Sequence, residues 1–155
     1  MLTTAAPGIS SDKTSLRAWV YTKDQIPLAW EDLEPFVEKS IDKSFGMMAS
    51  RQVYEMLCDG SAVAFVTARG NDIQLVAIIR FVQYASYGVG RFIAMAGRDL
   101  RGAHLFLPAI EQWAVSMGCV EIEGWCRPAV TKILRRLGWT PKLTLLTRDL
   151  RRKLQ

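Results

Sequence analysis

The chain lacks the parts for most metal and triad chemistry. One histidine, His104, and three cysteines, Cys58, Cys119 and Cys126, occur in 155 residues. The cysteines show no zinc spacing, and a single histidine leaves a metal centre or a histidine-based triad without its components. A sparse, odd number of thiols fits a reducing compartment, so the cytoplasm is the expected location. Long apolar runs are also missing. The longest, around Leu75 to Ile79, is strand-sized, so no membrane-spanning helix and no membrane partner are expected. Residues 1–13 have no basic start followed by an apolar core and do not read as a secretory signal. There is no internal repeat. Charge of one sign is only mildly in excess, at net +5 with an isoelectric point near 9.3. Without a stacking-aromatic motif beside it, that excess ranks nucleic-acid binding last.

Half of the residues are hydrophobic, enough for a core in a chain of single-domain length. The expected division is a flexible lead-in over residues 1–14, one domain over 15–150 and a basic tail over 151–155. Leu16 to Tyr21 alternates as a first strand. Pro27 to Glu31 reads as a turn and helix entry. A helix follows from Glu31 to Ser44, with Pro35 acceptable only in its first turn. A second helix runs from Met47 to Cys58 and stops at Asp59-Gly60. Ala62 to Val66 is apolar on both faces, as a covered strand should be. Arg69 to Asp72 is a hairpin turn, and Ile73 to Tyr84 a long strand. A further strand ends at Ala96. Helix, strand, helix and strand then alternate through Leu105–Met117, Cys119–Glu123, Pro128–Leu137 and Leu143–Thr147. That order predicts a mixed α+β sheet, mostly antiparallel, with helices on both faces and one parallel pair across the Leu105–Met117 helix.

The segment from Ile93 to Trp113 carries the chemistry. A strand breaks into a short basic loop, Arg98-Asp99-Leu100-Arg101-Gly102-Ala103, and a helix begins. Free backbone N–H groups and the helix dipole make such a start a site for phosphate, and Arg98 and Arg101 add charge.

This loop resembles the acetyl-CoA motif of the GNAT (GCN5-related) N-acetyltransferases, which reads Gln or Arg, two residues, Gly, one residue, Gly or Ala. Arg98 and Ala103 fit, while Arg101 replaces the middle Gly. The register continues through Leu105-Phe106-Leu107 and Trp113-Ala114 to Gly118, then through Val120–Glu123 and Leu137-Gly138-Trp139. The resemblance covers residues 15 to 150. It implies acetyl-CoA as co-substrate, a splayed parallel strand pair, and acetyl transfer to an amine, with a protein as the expected acceptor. It implies that Ile93, Ala94, Met95 and Ala96 offer main-chain bonds to the cofactor. Arg98, Arg101, Gly102, Ala103 and His104 would hold its pyrophosphate.

The sequence departs from the family in three places. Leu134 stands where the family often has a fourth-helix tyrosine acid, and Gly88 to Ala96 contains no carboxylate base. Glu123, at a strand end, is the expected base, and Tyr87 or Tyr84 the expected acid. Few residues follow Trp139, so one strand of the usual closing hairpin is expected to be lost. An edge at Leu143–Thr147 would then be open to a partner or a second copy. Short, degenerate chains of this kind occur in phages. The alternative is therefore a catalytically silent binding protein, phage-encoded, acting on a host or virion partner.

Overall fold

A computed structural model describes residues 15–42, 47–98 and 103–154. Five strands and four α-helices are formed among them: β1 Leu16–Tyr21, α1 Ile26–Ile41, α2 Ser50–Asp59, β2 Ala62–Arg69, β3 Asp72–Gln83, β4 Gly88–Gly97, α3 Ala103–Ser116, β5 Cys119–Glu123 and α4 Pro128–Arg136. The strands lie side by side in the order β1-β2-β3-β4-β5. The first three pairings are antiparallel, and β4 with β5 is parallel. This is the expected mixed α+β sheet.

Strand alternation sends side chains to two separate cores. Ala62, Ala64, Val66, Ala68, Val76, Ile78 and Ala94 pack with Leu33 and Val37 of α1 and Val53 and Leu57 of α2. Phe65, Leu75, Ala77 and Ile79 point the other way, onto Ala109 and Ile110 of α3. Each large side chain buried in this manner contributes about 1.5–3 kcal/mol. The two-faced apolar run of β2 is thus explained by helices on both sides.

Turns follow their residues. Gly60, at φ 82°, ends α2, where a β-carbon would be strained. Gln52 closes the start of that helix by accepting the Ala49 N–H at 2.8 Å. Gly97 lies at the end of β4, where any side chain would run into the Gln74 carbonyl and Leu75.

Two expectations are corrected. Helix α1 begins at Ile26, not Glu31, with Pro27 in its first turn, so Pro35 lies in its interior. Pro35 is exposed there. The carbonyl of Glu31, deprived of its helical donor, can therefore be met by water. The strand expected at Leu143–Thr147 is not formed: residues 139–150 have no regular secondary structure. Leu143, Leu145 and Leu146 are exposed and, among the described residues, belong to no strand pairing. Among the described residues the edges of the sheet are β1 and β5.

The chain divides into two compact units. The first ends at Gly124 and holds the whole sheet, α1, α2 and α3. The second, Trp125–Gln155, holds α4 and a short 3₁₀ turn at Arg151–Lys153, where Arg151 grips Asp149 at 2.6 Å.

Candidate functional site at the fork of two parallel strands

The ladder between β4 and β5 is short. It pairs Gly88 with Cys119, Val89 with Glu121, Gly90 with Ile122 and Arg91 with Glu123, and there it ends. Strand β4 runs six residues further, to Gly97, held by β3 alone among the strands. A bulge lies just past this fork: Ile78 pairs with Ala94 and Ile79 with Phe92, leaving Ile93 as the extra residue. A bulge bends its strand and re-aims the following groups, a device common beside functional sites.

Beyond the bulge, helix α1 reaches the free stretch of β4. The Met95 N–H, not used in the ladder with β3, donates to Ser40 Oγ at 3.1 Å. Lys39 Nζ donates to the Gly97 carbonyl at 3.4 Å. The strand therefore offers a main-chain donor away from β3, and an exchangeable hydroxyl holds it. A ligand carbonyl could take that place.

At the fork itself three polar side chains close on one another. Arg91 Nε donates to Glu123 Oε1 at 2.5 Å. Tyr84 Oη donates to Glu123 at 2.9 Å and accepts from Arg91 Nη2 at 2.6 Å. The side chains of Arg91 and Glu123 are only 24% and 27% exposed. Burial acts to lower the Arg91 pKa, but hydrogen bonds and charge from Glu123, then from Tyr84, outweigh it and raise the guanidinium above its ordinary value. Arg91 is thus a fixed cation. Chemically the triad can hold a carboxylate in one orientation and keep a phenol bracketed between an acceptor and a donor. Tyr87 rests edge-on against Tyr84, with ring centroids 5.3 Å apart, and is partly exposed at the rim.

The residues named from sequence are distributed as follows. Glu123 and Tyr87 sit at the fork. Ile93, Ala94, Met95 and Ala96 form the stretch of β4 beyond it. Arg98 follows directly, yet its guanidinium is paired with Asp72 at 3.0 Å and its N–H donates to the Gln74 carbonyl. The pair is well exposed, 65% and 56%, so its net worth is small and a stronger anion could draw Arg98 away. Arg98 and Asp72 also line a shallow pocket of about 170 Å³ with Asp32, Phe36, Asn71 and Ile73. Ala103 opens α3, while Arg101 and Gly102 lie outside the described residues, as do the side chains of Ala103 and His104. Cys126, in the second unit, is exposed, and partial desolvation pushes its thiol up, the opposite of an activated nucleophile.

Sequence reading missed Arg91 as the partner of Glu123, and missed Arg80 beside it. The signal was present in β3, where Ile78, Arg80 and Val82 share one face, so that an arginine stands in an inward-facing apolar series.

No protein-family model and no curated protein sequence matches the chain. Solved structures do. A GCN5-related N-acetyltransferase from Ralstonia eutropha JMP134 superposes at a TM-score of 0.65, with 12% identity, over 87% of this chain and 99% of that one. A predicted acetyltransferase with acetyl-CoA from Clostridium acetobutylicum gives 0.66 at 15% identity, over 88% and 97%. An aminoglycoside acetyltransferase from an uncultured soil metagenomic sample gives 0.66 at 10% identity, over 88% and 99%. The chain therefore has the GNAT fold, as the motif resemblance implied.

Proposed function

We propose that the chain is an acetyl-CoA-dependent N-acyltransferase of the GNAT type, moving an acetyl group to an amine. The observation that carries this reading is the fork: β4 leaves β5 after Arg91, bulges at Ile93 and presents a main-chain donor held only by Ser40. The similar structures add the fold and, in one case, acetyl-CoA itself. On this reading Ile93 to Ala96 line the pantetheine arm, and the start of α3 with Arg98, Arg101, Gly102, Ala103 and His104 meets the pyrophosphate. Acetyl-CoA supplies the activated thioester. The protein orients the acceptor amine, and Glu123 or Tyr84 takes up or returns a proton at the fork. Tyr84 replaces Tyr87 as the preferred phenol, because its hydroxyl is the one bonded to Glu123.

The test is thermal unfolding with acetyl-CoA. At about a hundred times its dissociation constant it should stabilise the fold by roughly 2.7 kcal/mol, a melting shift of about 5–10 °C. An unmoved melting curve at millimolar acetyl-CoA sinks the reading.

A second reading, a silent binding protein, draws on one specific observation. Glu123, the expected base, already accepts from both Arg91 and Tyr84. It predicts binding of acetyl-CoA without acetyl transfer to any amine in a broad acceptor panel.

A further inference from the structure

The last rung before the fork belongs to a row that crosses four strands. Ala62 of β2 pairs with Arg80 of β3, Arg80 with Arg91 of β4, and Arg91 with Glu123 of β5. Ala62 belongs to the core under α1 and α2, so the whole row looks out on that face of the sheet. The flanking rows on the same face are apolar across β3 and β4: Ile78 with Ala94 beyond, and Val82 with Val89 before. Two arginines directly opposite one another repel, and a sheet selected for stability alone would not place them there.

Their surroundings differ. Arg91 is bound by Glu123 and Tyr84. Glu121 lies on the same face one row back, opposite Val89. Arg80 is partly buried, and its side chain makes no hydrogen bond or ion pair among the described residues. Its nitrogens are not among the buried unpartnered atoms, so the guanidinium reaches water and is open to an incoming anion.

We propose that Arg80 is a specificity residue for the acceptor and binds a carboxylate carried close to the reacting amine. The inference rests on the acyltransferase reading for the amine, but not for the carboxylate. Guanidinium and carboxylate meet through two parallel hydrogen bonds, which fixes orientation as well as adding affinity. The row touches the fork, so a carboxylate on Arg80 would hold its own molecule against the stretch of β4 proposed for the thioester. The same charge disfavours polycationic acceptors. This chain would thus differ in acceptor class from the aminoglycoside acetyltransferase whose fold it shares.

A carboxylate next to an amine occurs in a free amino acid and in a peptide that begins with Asp or Glu. The experiment separates the two. Calorimetry compares N-acetylglycine with N-acetylglycinamide, with and without CoA, and needs no turnover. Acetyl transfer is then compared between free amino acids and their amides, and between peptides beginning with Glu and with Gln. The carboxylate form is expected to bind, or to show a KM, about tenfold to a hundredfold better. Arg80→Met should erase that difference while leaving the acetyl-CoA melting shift intact, and Arg80→Lys should restore part of it. A preference confined to free amino acids or to acidic peptides names the source. Equal handling of carboxylate and amide, or a preference that survives Arg80→Met, overturns the proposal. If acetyl-CoA fails to bind while N-acetylglycine still discriminates through Arg80, the acyltransferase reading falls and the carboxylate site stands.

Discussion

Glu123 cannot be treated as a lone carboxylate waiting for an amine. It is tied to a cation on the next strand and to a phenol at the end of β3. Glu123→Gln keeps its shape and removes its charge, leaving Arg91 partly buried without its counter-ion. The expected outcome is a stability loss of about 1–3 kcal/mol, read by urea unfolding, because breaking such a pair exposes the cost of the charge left behind. If Glu123 is also the general base, the transfer rate drops about a hundredfold or more. A lost rate without lost stability would show that the ion pair is of no structural consequence. Lost stability with an unchanged rate would hand the proton to Tyr84 or to water.

The contact between α1 and β4 joins a helix to the proposed cofactor strand through one hydroxyl. Ser40→Ala removes the partner of the Met95 N–H. The free protein should lose about 0.5–1.5 kcal/mol, the typical worth of such a bond. The acetyl-CoA melting shift should grow, because the ligand no longer displaces a protein group. A shift that shrinks would mean that Ser40 itself holds the ligand. Pro35 gives a simpler test on the same helix. Pro35→Ala restores an interior helical N–H on an exposed face and should raise stability by about 1–2 kcal/mol. That is less than the full proline penalty of about 3, because proline also stiffens the unfolded chain.

These elements also show what could be read in advance. The β2–β3 hairpin was legible because Gly70-Asn71 stands between two apolar runs, and the stop of α2 because glycine suits its left-handed residue. Pro35 misled, since a rule about helix interiors ignores whether the freed carbonyl faces water. Leu143–Thr147 misled in another way. Its residues suit a strand, but a strand needs a partner edge, and a partner is a property of the tertiary fold. The parallel pair at the fork was visible as an order of elements, while most of the basic loop lies outside the described residues. The row through Arg80, Arg91 and Glu123 was not, because cross-strand register cannot be counted from one sequence.

At the scale of the molecule, every residue of both cores lies in the first unit, ahead of Trp125. No helix among the described residues is long and apolar enough to cross a membrane. The strand order has a temporal meaning as well. β1 to β4 are neighbours in sequence order, so each can join the sheet as soon as it is made. β5 must wait for α3 to form and cross over, and then has four rungs by which to hold. Assembly thus ends where the proposed chemistry begins, and the first step of opening should be its reverse. Hydrogen exchange should find the amides of Cys119 to Glu123 released at a lower free energy than those of β2 and β3, the central strands. Protection of β5 equal to that of β3 would mean that the fork is as permanent as the core. Added acetyl-CoA should slow exchange at Met95 and across β5 together, making the closing of the sheet a property that the ligand completes.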